Sequence, residues 1–205
     1  MHLRPSIVRL EEFQLEAASD ILARAFLHDP LNTYLLPNPA DREDLLFWYY
    51  GTIVQYGLDA GDVYTSADCD GVAVWLRYGA EESGADRLQQ AGLADTPDVF
   101  GIEAFTRLVG VIGYLERVRK RGVQPRHWYL PALGVDPASQ GSGIGGTLLR
   151  QIFSRADADG IPCYLETFQP RNLPFYRRHE FVAVADEVEP SSGLRFWTFC
   201  RDPRD

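Results

Sequence analysis

The sequence predicts an α/β protein with a central mixed β-sheet and helices on both faces. The first third is mainly helical after one short strand, two strands then flank an Asp-Gly turn, and the last third alternates strand and helix. A late strand–helix–strand unit followed by two more strands indicates that parallel and antiparallel pairs share one sheet. The length of 205 residues suits one domain with an inserted element.

The first 78 residues combine three short strands with two helices. The helices show apolar residues at helical spacing, and the second begins with acidic side chains, which the helix dipole favours. Asp70-Gly71 is a hairpin signal between the second and third strands. The elements are a strand over 6–10, a helix over 13–26, a loop with about one helical turn over 31–40, a helix over 41–58, and strands over 61–66 and 71–76.

A polar loop with some helix is expected over residues 79–97, and a long helix over 99–122. Two adjacent apolar stripes predict a wide buried face on that helix. The basic residues at its end either match the negative end of the helix dipole or contact a phosphate. The stripes are Ile102, Phe105, Val109 and Ile112, then Leu108, Val111, Leu115 and Val118; the basic residues are Arg117, Arg119, Lys120 and Arg121.

The last third alternates strand and helix around a glycine-rich loop. Its final two strands are separated by a Pro-Ser-Ser-Gly turn, which predicts an antiparallel pair. The elements are a strand over 127–135, a turn over 136–139, the loop, a helix to about residue 159, a strand over 163–168, a short helix over 171–179, and strands over 181–188 and 194–200.

Charge and composition argue against several classes of protein. There are 20 Lys and Arg against 29 Asp and Glu, and the net charge of −9 argues against non-specific nucleic-acid binding. No apolar run approaches the ~20 residues of a membrane helix, and the N-terminus lacks the apolar core of a signal peptide. Three cysteines without CxxC spacing indicate reduced thiols and no metal site. We therefore expect a cytoplasmic protein without a membrane or nucleic-acid partner.

The glycine-rich loop is the strongest candidate for a ligand site. Glycines let the backbone approach a ligand closely, and free N–H groups at the start of the next helix favour an anion such as a phosphate. The alternative is a flexible turn without a ligand. The loop comprises Gln140, Gly141, Ser142, Gly143, Ile144, Gly145, Gly146 and Thr147.

Two nucleotide-binding patterns compete for this loop. Gly141, Gly143 and Gly146 satisfy the dinucleotide pattern G-x-G-x-x-G, and Glu166 lies near where a ribose-binding acid would be. Against that pattern, five residues separate the strand from the first glycine, and too few follow for the rest of a doubly wound domain. A P-loop is excluded because glycine, not lysine, precedes Thr147. A nicotinamide-dependent enzyme stays an alternative.

A different spacing, Q-x-x-G-x-G at Gln140, Gly143 and Gly145, resembles the pyrophosphate-binding motif of the GNAT acetyltransferases. The resemblance implies the GNAT acyltransferase fold, with the sheet splayed at an acetyl-CoA site. It implies that acetyl-CoA is the cosubstrate, and that the backbone of Leu133, Gly134 and Val135 pairs with pantetheine. The cofactor-binding residues are expected to include the whole stretch Gln140, Gly141, Ser142, Gly143, Ile144, Gly145 and Gly146.

A second segment, Asn172 followed by Phe175-Tyr176, resembles the superfamily motif in which a tyrosine meets the sulfur of CoA. It implies that Asn172 and Phe175 belong to the cofactor site. The resemblance covers roughly residues 6–205, which implies one N-acetyltransferase domain over 1–205. Residues 127–188 would be its acetyl-CoA-binding core, and 79–122 a variable insert with a long helix. The run over 165–176 resembles more narrowly the members that acetylate an aminonucleoside.

One position departs from the superfamily pattern, because Glu180 stands where a glycine usually precedes the next strand. A glycine there would serve a left-handed helix cap, and Glu in that conformation costs roughly 1 kcal/mol. We therefore expect that the turn after this helix, and with it the aim of Tyr176, could differ from the family's.

The implied chemistry assigns roles to two side chains. Tyr176, a phenol with a pKa near ~10, can protonate the departing thiolate. Glu166, an acid inside an apolar strand, is the candidate base for the acceptor amine, directly or through a water; it could instead attract the ammonium form or be a paired structural carboxylate. A backbone N–H near Leu133 to Val135 is the expected oxyanion donor.

The acceptor pocket is expected between the loop over 27–40 and the last strands. The lone histidines His28 and His127 are interpreted as surface or packing residues, and Arg178 as either a phosphate contact or a solvated side chain. The candidate lining residues are Phe26, Asp29, Tyr34, Trp75 and Trp128.

The resulting hypothesis is acetyl transfer from acetyl-CoA to a primary amine of a small molecule, by direct attack in a ternary complex. Two alternatives stay open beside the nicotinamide-dependent enzyme: a non-catalytic acyl-CoA-binding module, and an acetyltransferase that acts on a protein amine. The leucine-rich helices are as compatible with a homodimer interface as with a core.

Overall fold

A computed structural model of the chain describes residues 5–78, 89 and 92–204. Within them one sheet of seven strands has the order β1-β2-β3-β4-β5-β7-β6. All strand positions agree with the sequence prediction to within two residues. The strands are β1 (Ile7–Arg9), β2 (Gly61–Ser66), β3 (Gly71–Tyr78), β4 (His127–Val135), β5 (Cys163–Thr167), β6 (Val182–Val188) and β7 (Arg195–Arg201).

The helices follow the predicted order with three differences. The helix predicted to about residue 159 is interrupted by a 3₁₀ turn at Arg150–Ile152. A six-residue helix replaces the single turn expected near residue 31, because Asp29 caps it and Pro30 starts it. The helix expected over 99–122 is broken at Gly101, where φ is +82°. The helices are α1 (Leu15–Phe26), α2 (Pro30–Leu35), α3 (Arg42–Ala60), α4 (Thr96–Phe100), α5 (Ile102–Gly122), α6 (Ile144–Leu149), α7 (Phe153–Ala158) and α8 (Leu173–Arg178).

Short 3₁₀ turns join several of these elements. One of them, Arg150–Ile152, links α6 to α7, and another, Pro170–Asn172, leads into α8. Most of the loop expected over 79–97 lies outside the described residues. None of the described helices is both long and apolar enough to cross a membrane.

The sheet is mixed because β4 and β5 run parallel, while each other neighbouring pair is antiparallel. The parallel pair is the late strand–helix–strand unit that the sequence predicts. Its register covers only Trp128↔Cys163 and Tyr129↔Tyr164. Beyond these two pairs β4 and β5 diverge, and the sheet is splayed.

Alternate residues of the central strands build cores on the two faces of the sheet. Val72, Val74 and Leu76 of β3 pack with α1 and α3 on one face. Ala73 and Trp75 pack with α6 and α7 on the other. Because side chains alternate between the two faces, helices cover both sides of the sheet. The ends of β4 and β5 therefore lie between two layers of helices.

Helix α5 covers the C-terminal strands through one of its two predicted stripes. Val111, Leu115 and Val118 are buried against Phe168 and Phe196. The other stripe is divided: Ile102 is 68% and Val109 is 42% accessible, whereas Phe105 and Ile112 are half-buried and Ile112 packs against the core. The predicted wide face is therefore confirmed in part, because Leu108 and Ile112 pack with the core of α1 and α3 while Ile102 and Val109 stay exposed.

Candidate active site

The divergence of β4 from β5 leaves a backbone edge that a ligand can use. Leu133, Gly134 and Val135 pair with β3 along one edge of β4. Along the other edge, beyond Tyr129, no described strand pairs with β4. Backbone N–H and C=O groups directed to this edge need partners, which an amide-containing ligand can supply.

The glycine-rich loop follows β4 after Asp136 and a short 3₁₀ turn, Pro137–Ser139. Gly141 and Gly143 have φ of +82° and +90°, a conformation that side chains with a Cβ disfavour. Gly143 precedes the first residue of α6, so the loop turns sharply and presents the N-terminal N–H groups of that helix. The Gln140 amide donates to the Val135 carbonyl oxygen at 3.2 Å, which ties the loop to the end of β4.

The later residues of the loop serve packing. A Cβ on Gly146 would lie 2.7 Å from Nε2 of His179. A Cβ on Gly145 would lie 3.6 Å from the ring of Phe175. The Phe175 and His179 rings are themselves 4.8 Å apart. The side chain of Ile144 is buried in the core. The loop is therefore packed directly against α8, the helix that carries Tyr176.

A cavity of about 200 Å³ lies at the splayed end of the sheet and brings Tyr176 and Glu166 to the same space. Its walls are mostly aromatic and aliphatic, with the carboxylates of Asp29 and Glu116 and the guanidinium of Arg119 as further polar groups. The main lining residues are Phe26, Asp29, Tyr49, Tyr50, Tyr56, Glu116, Arg119, Tyr129, Leu133, Glu166, Phe168 and Tyr176.

Glu166 is the most unusual group in this cavity. It lies on β5 opposite Thr198 of β7, and its Oε1 is buried without a hydrogen-bond partner among the described residues. Burial raises the pKa of its carboxyl group from 4.5 to about 7, although Arg119 and the phenols of Tyr129 and Tyr164 offset part of the rise. A carboxyl group with such a pKa can accept and release a proton near neutrality.

Tyr176 and Asp29 share the other side of the cavity. Tyr176 is buried, and both its burial and the charge of Asp29 raise the pKa of its phenol, so the hydroxyl keeps its proton at neutral pH. Burial raises the pKa of Asp29 to about 6. Asp29 also accepts a hydrogen bond from the Leu31 N–H at 3.0 Å, and so holds the start of α2 at the cavity.

The buried amide of Asn32 connects the helices that form this wall. It donates to the Phe26 carbonyl oxygen and to the Tyr50 hydroxyl, both at 3.0 Å. The Phe26 and Tyr50 rings stack at 4.9 Å. This wall of the cavity is thus a packed aromatic surface held by hydrogen bonds.

The helix that carries Tyr176 ends in a left-handed cap even though residue 180 is not glycine. Glu180 has φ of +72°, and its side chain pairs with Arg201 at 3.3 Å and Arg204 at 2.8 Å. The turn that a glycine would form is therefore retained. At the other end of α8, the Asn172 amide donates to Thr167 Oγ1 at 3.2 Å, which orients it beside the end of β5.

Several predicted lining residues lie elsewhere. Phe26 and Asp29 do line the cavity. Trp75 and Trp128 are buried in the core on the opposite face of the sheet, and Tyr34 faces Arg107 of α5 at 5.7 Å. Sequence reasoning counted aromatic residues near the expected pocket but could not tell which face of the sheet each one occupies.

The histidines and Arg178 lie outside the cavity wall. His28 and Arg178 are exposed. His127 is buried and donates from Nδ1 to the Gln124 carbonyl oxygen at 2.8 Å. Its role as a packing residue agrees with the interpretation from sequence.

The sequence interpretation missed the polar groups around Glu166. Arg119 was assigned to a basic helix end, yet it lines the cavity and its guanidinium lies 5.5 Å from the centre of the Tyr129 ring. For Tyr129 and Tyr164 the local pattern predicts only a position in a strand. A usable signal was present in the period-two spacing of Tyr164 and Glu166, which predicts that both point to one face.

The splayed sheet, the glycine-rich loop after β4 and the cavity that opens beside them define an acyltransferase architecture. The chain belongs to the acetyltransferase (GNAT) family, whose family model matches residues 62–181. That match includes β2 to β5, the glycine-rich loop and α8. It confirms the predicted family and fold and identifies the chain as an N-acetyltransferase of the GNAT type.

Individual proteins are similar at lower levels of identity. An uncharacterized N-acetyltransferase of Schizosaccharomyces pombe is 26% identical over 180 residues, which is 85% of this chain and 73% of that protein. A structure described as histone acetyltransferase HPA2 and related acetyltransferase, from Corynebacterium glutamicum, is 20% identical with a TM-score of 0.73, and the match covers 99% of this chain and 98% of that one. Arylalkylamine N-acetyltransferase 2 of Aedes aegypti is 13% identical with a TM-score of 0.65, over 97% and 98% of the two chains.

Proposed function

We propose that the whole chain forms one catalytic domain that transfers an acetyl group from acetyl-CoA to a primary amine of a small molecule, by direct attack in a ternary complex. The observation that carries this proposal is the single cavity bounded by a carboxyl group and a phenol, Glu166 and Tyr176. Near neutral pH the Glu166 carboxyl group is partly ionised and can accept a proton, and the Tyr176 phenol is protonated and can give one.

The residues around the splay fit acetyl-CoA. The stretch Gln140–Gly146 would hold the pyrophosphate through backbone N–H groups, and the open edge of β4 at 133–135 would pair with the pantetheine amides. Two contacts support roles for Phe175 and Asn172 in this site. The Phe175 ring lies 3.6 Å from the position of a Cβ on Gly145 and 5.2 Å from the Tyr176 ring, and Asn172 donates to Thr167, which lines the cavity. When bound there, acetyl-CoA supplies the acetyl group as an activated thioester.

Glu166 is the proposed base. An ammonium group cannot attack a carbonyl carbon, so the acceptor must lose a proton before or during attack. The Glu166 carboxylate takes that proton, directly or through a water. Its burial keeps the carboxyl basic enough for this step, since a carboxylate with an ordinary pKa would be a much weaker base.

Tyr176 is the proposed acid. Its hydroxyl gives a proton to the sulfur that leaves, and burial keeps the phenol protonated until then. Leu133 lies on the same cavity wall. A backbone N–H of the segment 133–135 is the proposed donor to the developing oxyanion, since such preorganised donors supply a large part of catalysis in acyl transfer.

The acceptor is proposed to carry an apolar or aromatic body. The stacked rings of Phe26 and Tyr50 and the neighbouring tyrosines suit a flat apolar group, while Asp29 and Glu166 attract an amine. The Aedes aegypti protein is named for arylalkylamines, a class that fits these walls. The run over 165–176 resembles that of puromycin N-acetyltransferase, so an aminonucleoside belongs among the acceptors to test.

Binding is tested first, by thermal-shift titration with acetyl-CoA, desulfo-CoA and NADH. A ligand at 100 times its Kd stabilises by about 2.7 kcal/mol, which raises the Tm of a protein of this size by several degrees. We expect shifts with both CoA compounds and none with NADH. A shift with NADH alone would instead support a nicotinamide-dependent enzyme.

Turnover is tested by thiol release with a panel of arylalkylamines, aliphatic amines, an aminonucleoside and peptides with free amines. We expect the arylalkylamines to give the highest kcat/KM. Activity on peptides alone would support a protein amine as acceptor, in line with the name of the Corynebacterium glutamicum structure. Binding of CoA without turnover of any amine would identify an acyl-CoA-binding module.

A further inference from the structure

Beneath Glu166 lie two hydroxyl groups that the proposed mechanism does not use. Tyr164 and Thr198 are fully buried, and Tyr164 Oη and Thr198 Oγ1 have no hydrogen-bond partner among the described residues. Glu166 Oε1 is in the same condition. A buried polar group without a partner costs about 1–3 kcal/mol, so three together call for an explanation.

The three groups are neighbours on one face of the sheet. Tyr164 and Glu166 are two residues apart on β5, so their side chains point to the same face. Thr198 lies on the neighbouring strand β7, directly opposite Glu166. Burial is the main cause of the raised pKa of the Tyr164 phenol; beside it, Glu166 raises this pKa further, as an acceptor does, and Thr198 lowers it, as a donor does. The polarity therefore runs from Thr198 to Tyr164 to Glu166.

We propose that Thr198 and Tyr164 form a two-hydroxyl chain that positions Glu166. The Thr198 O–H donates to Tyr164 Oη, and the Tyr164 O–H donates to Glu166 Oε1. This holds Oε1 towards the sheet and directs Oε2 to the cavity, where the amine arrives. Hydrogen bonds of this kind are often long without substrate and tighten in the complex with substrate. Tyr164 and Thr198 are positioning residues, since they act only through Glu166.

Other groups also face Glu166, and the test must separate them. Arg119 reaches it from α5 and Tyr129 from β4. Glu116 of α5, which pairs with Lys120, and Asp29 lie on further walls of the same cavity. None of these residues is changed by substitutions at 164 or 198, so their contribution stays constant across the variants.

The direct test is titration of the Glu166 carboxyl carbon by NMR in protein labelled with ¹³C-glutamate, without acetyl-CoA. The Glu166→Gln variant assigns the resonance. Tyr164→Phe removes the donor and keeps the ring, so we expect the Glu166 midpoint to rise by about one pH unit. Thr198→Val keeps the shape of the side chain, and we expect a smaller rise in the same direction.

Coupling between the two substitutions is decisive. Because Thr198 acts through Tyr164, Thr198→Val should add nothing in the Tyr164→Phe background. The matched control is Tyr114→Phe, which also removes a phenol bound to a glutamate, Glu187 at 2.8 Å, but on the surface of α5. The proposal is overturned if Tyr164→Phe leaves the Glu166 midpoint unchanged, if the two shifts add, or if the control shifts it equally.

A catalytic consequence rests on the proposed function. If Glu166 is the base, kcat/KM should fall at low pH with the pKa of Glu166. In Tyr164→Phe the midpoint of this acidic limb should therefore move to higher pH by the same amount as the NMR midpoint. The two failures are distinguishable. An NMR shift without a shift of the limb would keep the hydroxyl chain and remove Glu166 from the base role, whereas no NMR shift would remove the chain itself.

Discussion

The backbone N–H of Phe181 donates to the carbonyl oxygen of Tyr176 at 3.2 Å, and the two rings lie 6.0 Å apart. With the bond from the Glu180 N–H to the Arg177 carbonyl oxygen, this forms a Schellman cap, including its hydrophobic contact. These two hydrogen bonds fix the last turn of α8, which contains Tyr176. The direction of the candidate acid thus depends on a left-handed glutamate.

Substitutions at Glu180 test this cap. Glu180→Ala keeps the strained backbone and loses the ion pairs, so we expect the free energy of unfolding to fall by about 1 kcal/mol. Glu180→Gly loses the same ion pairs but relieves the strain, so it should be more stable than the alanine variant by about 1 kcal/mol. Urea unfolding measures both. An alanine variant as stable as the glycine variant would contradict the left-handed cap.

Tyr176→Phe should lower kcat by roughly 10²-fold and leave the affinity for desulfo-CoA unchanged, because only the proton donor is removed. Stopped assays of thiol release and isothermal titration give the two values. Tyr114→Phe, outside the cavity, serves as the control. A Tyr176→Phe enzyme with the kcat of the parent would show that another group protonates the sulfur.

Gly143→Ala should raise the Kd for desulfo-CoA about tenfold, since a Cβ disfavours the φ of +90° that turns the loop into α6. Gly193 offers a matched control. Its φ is +72°, a Cβ there meets no atom within 4 Å, and it lies in the β6–β7 turn. Gly193→Ala should cost similar stability and leave the Kd alone; equal losses of affinity would argue against the loop as the cradle.

Glu166→Gln should change how stability depends on pH. The raised pKa of Glu166 means that the folded protein holds a proton that the unfolded chain loses between about pH 4.5 and 7. Stability contributed by the protonated acid is present below this range and is lost as pH rises through it. The glutamine variant lacks this loss, so its advantage over the parent should grow by about 3 kcal/mol from pH 4.5 to 8. A constant difference across that range would mean that Glu166 is not buried as described.

Local signals were enough for much of the architecture. These signals depend only on neighbouring residues. They are the alternation along β4, the Asp-Gly turn between β2 and β3, and the prolines and glycines at the ends of helices, and each predicts an element that the structure contains. The glycine-rich loop and the Phe175-Tyr176 segment were found in the same way. The motif also indicates residue 180 as the position of a cap, but the sequence leaves open whether a glutamate there keeps the left-handed turn, which the structure shows it does.

Contacts between distant residues were not accessible in this way. Arg119 lies on a helix end rich in basic residues, and nothing in its local pattern separates it from Arg121, which pairs with Glu187 on the surface. Trp75 and Tyr129 show the opposite case, because each faces a side of the sheet that only strand pairing determines. A helical or extended pattern predicts which side chains share a face, but it does not predict which other elements pack against that face.

The sequence by itself determined the family, the order of elements and the residues of the loop, because these follow from short-range geometry and from spacing along the chain. Only the tertiary structure decided which carboxylates share a cavity with Tyr176 and which hydroxyls lie beneath Glu166. Burial sets the pKa of Glu166, and burial is the sum of packing from α5, β4, β5 and β7. That sum exists only once the four elements have come together.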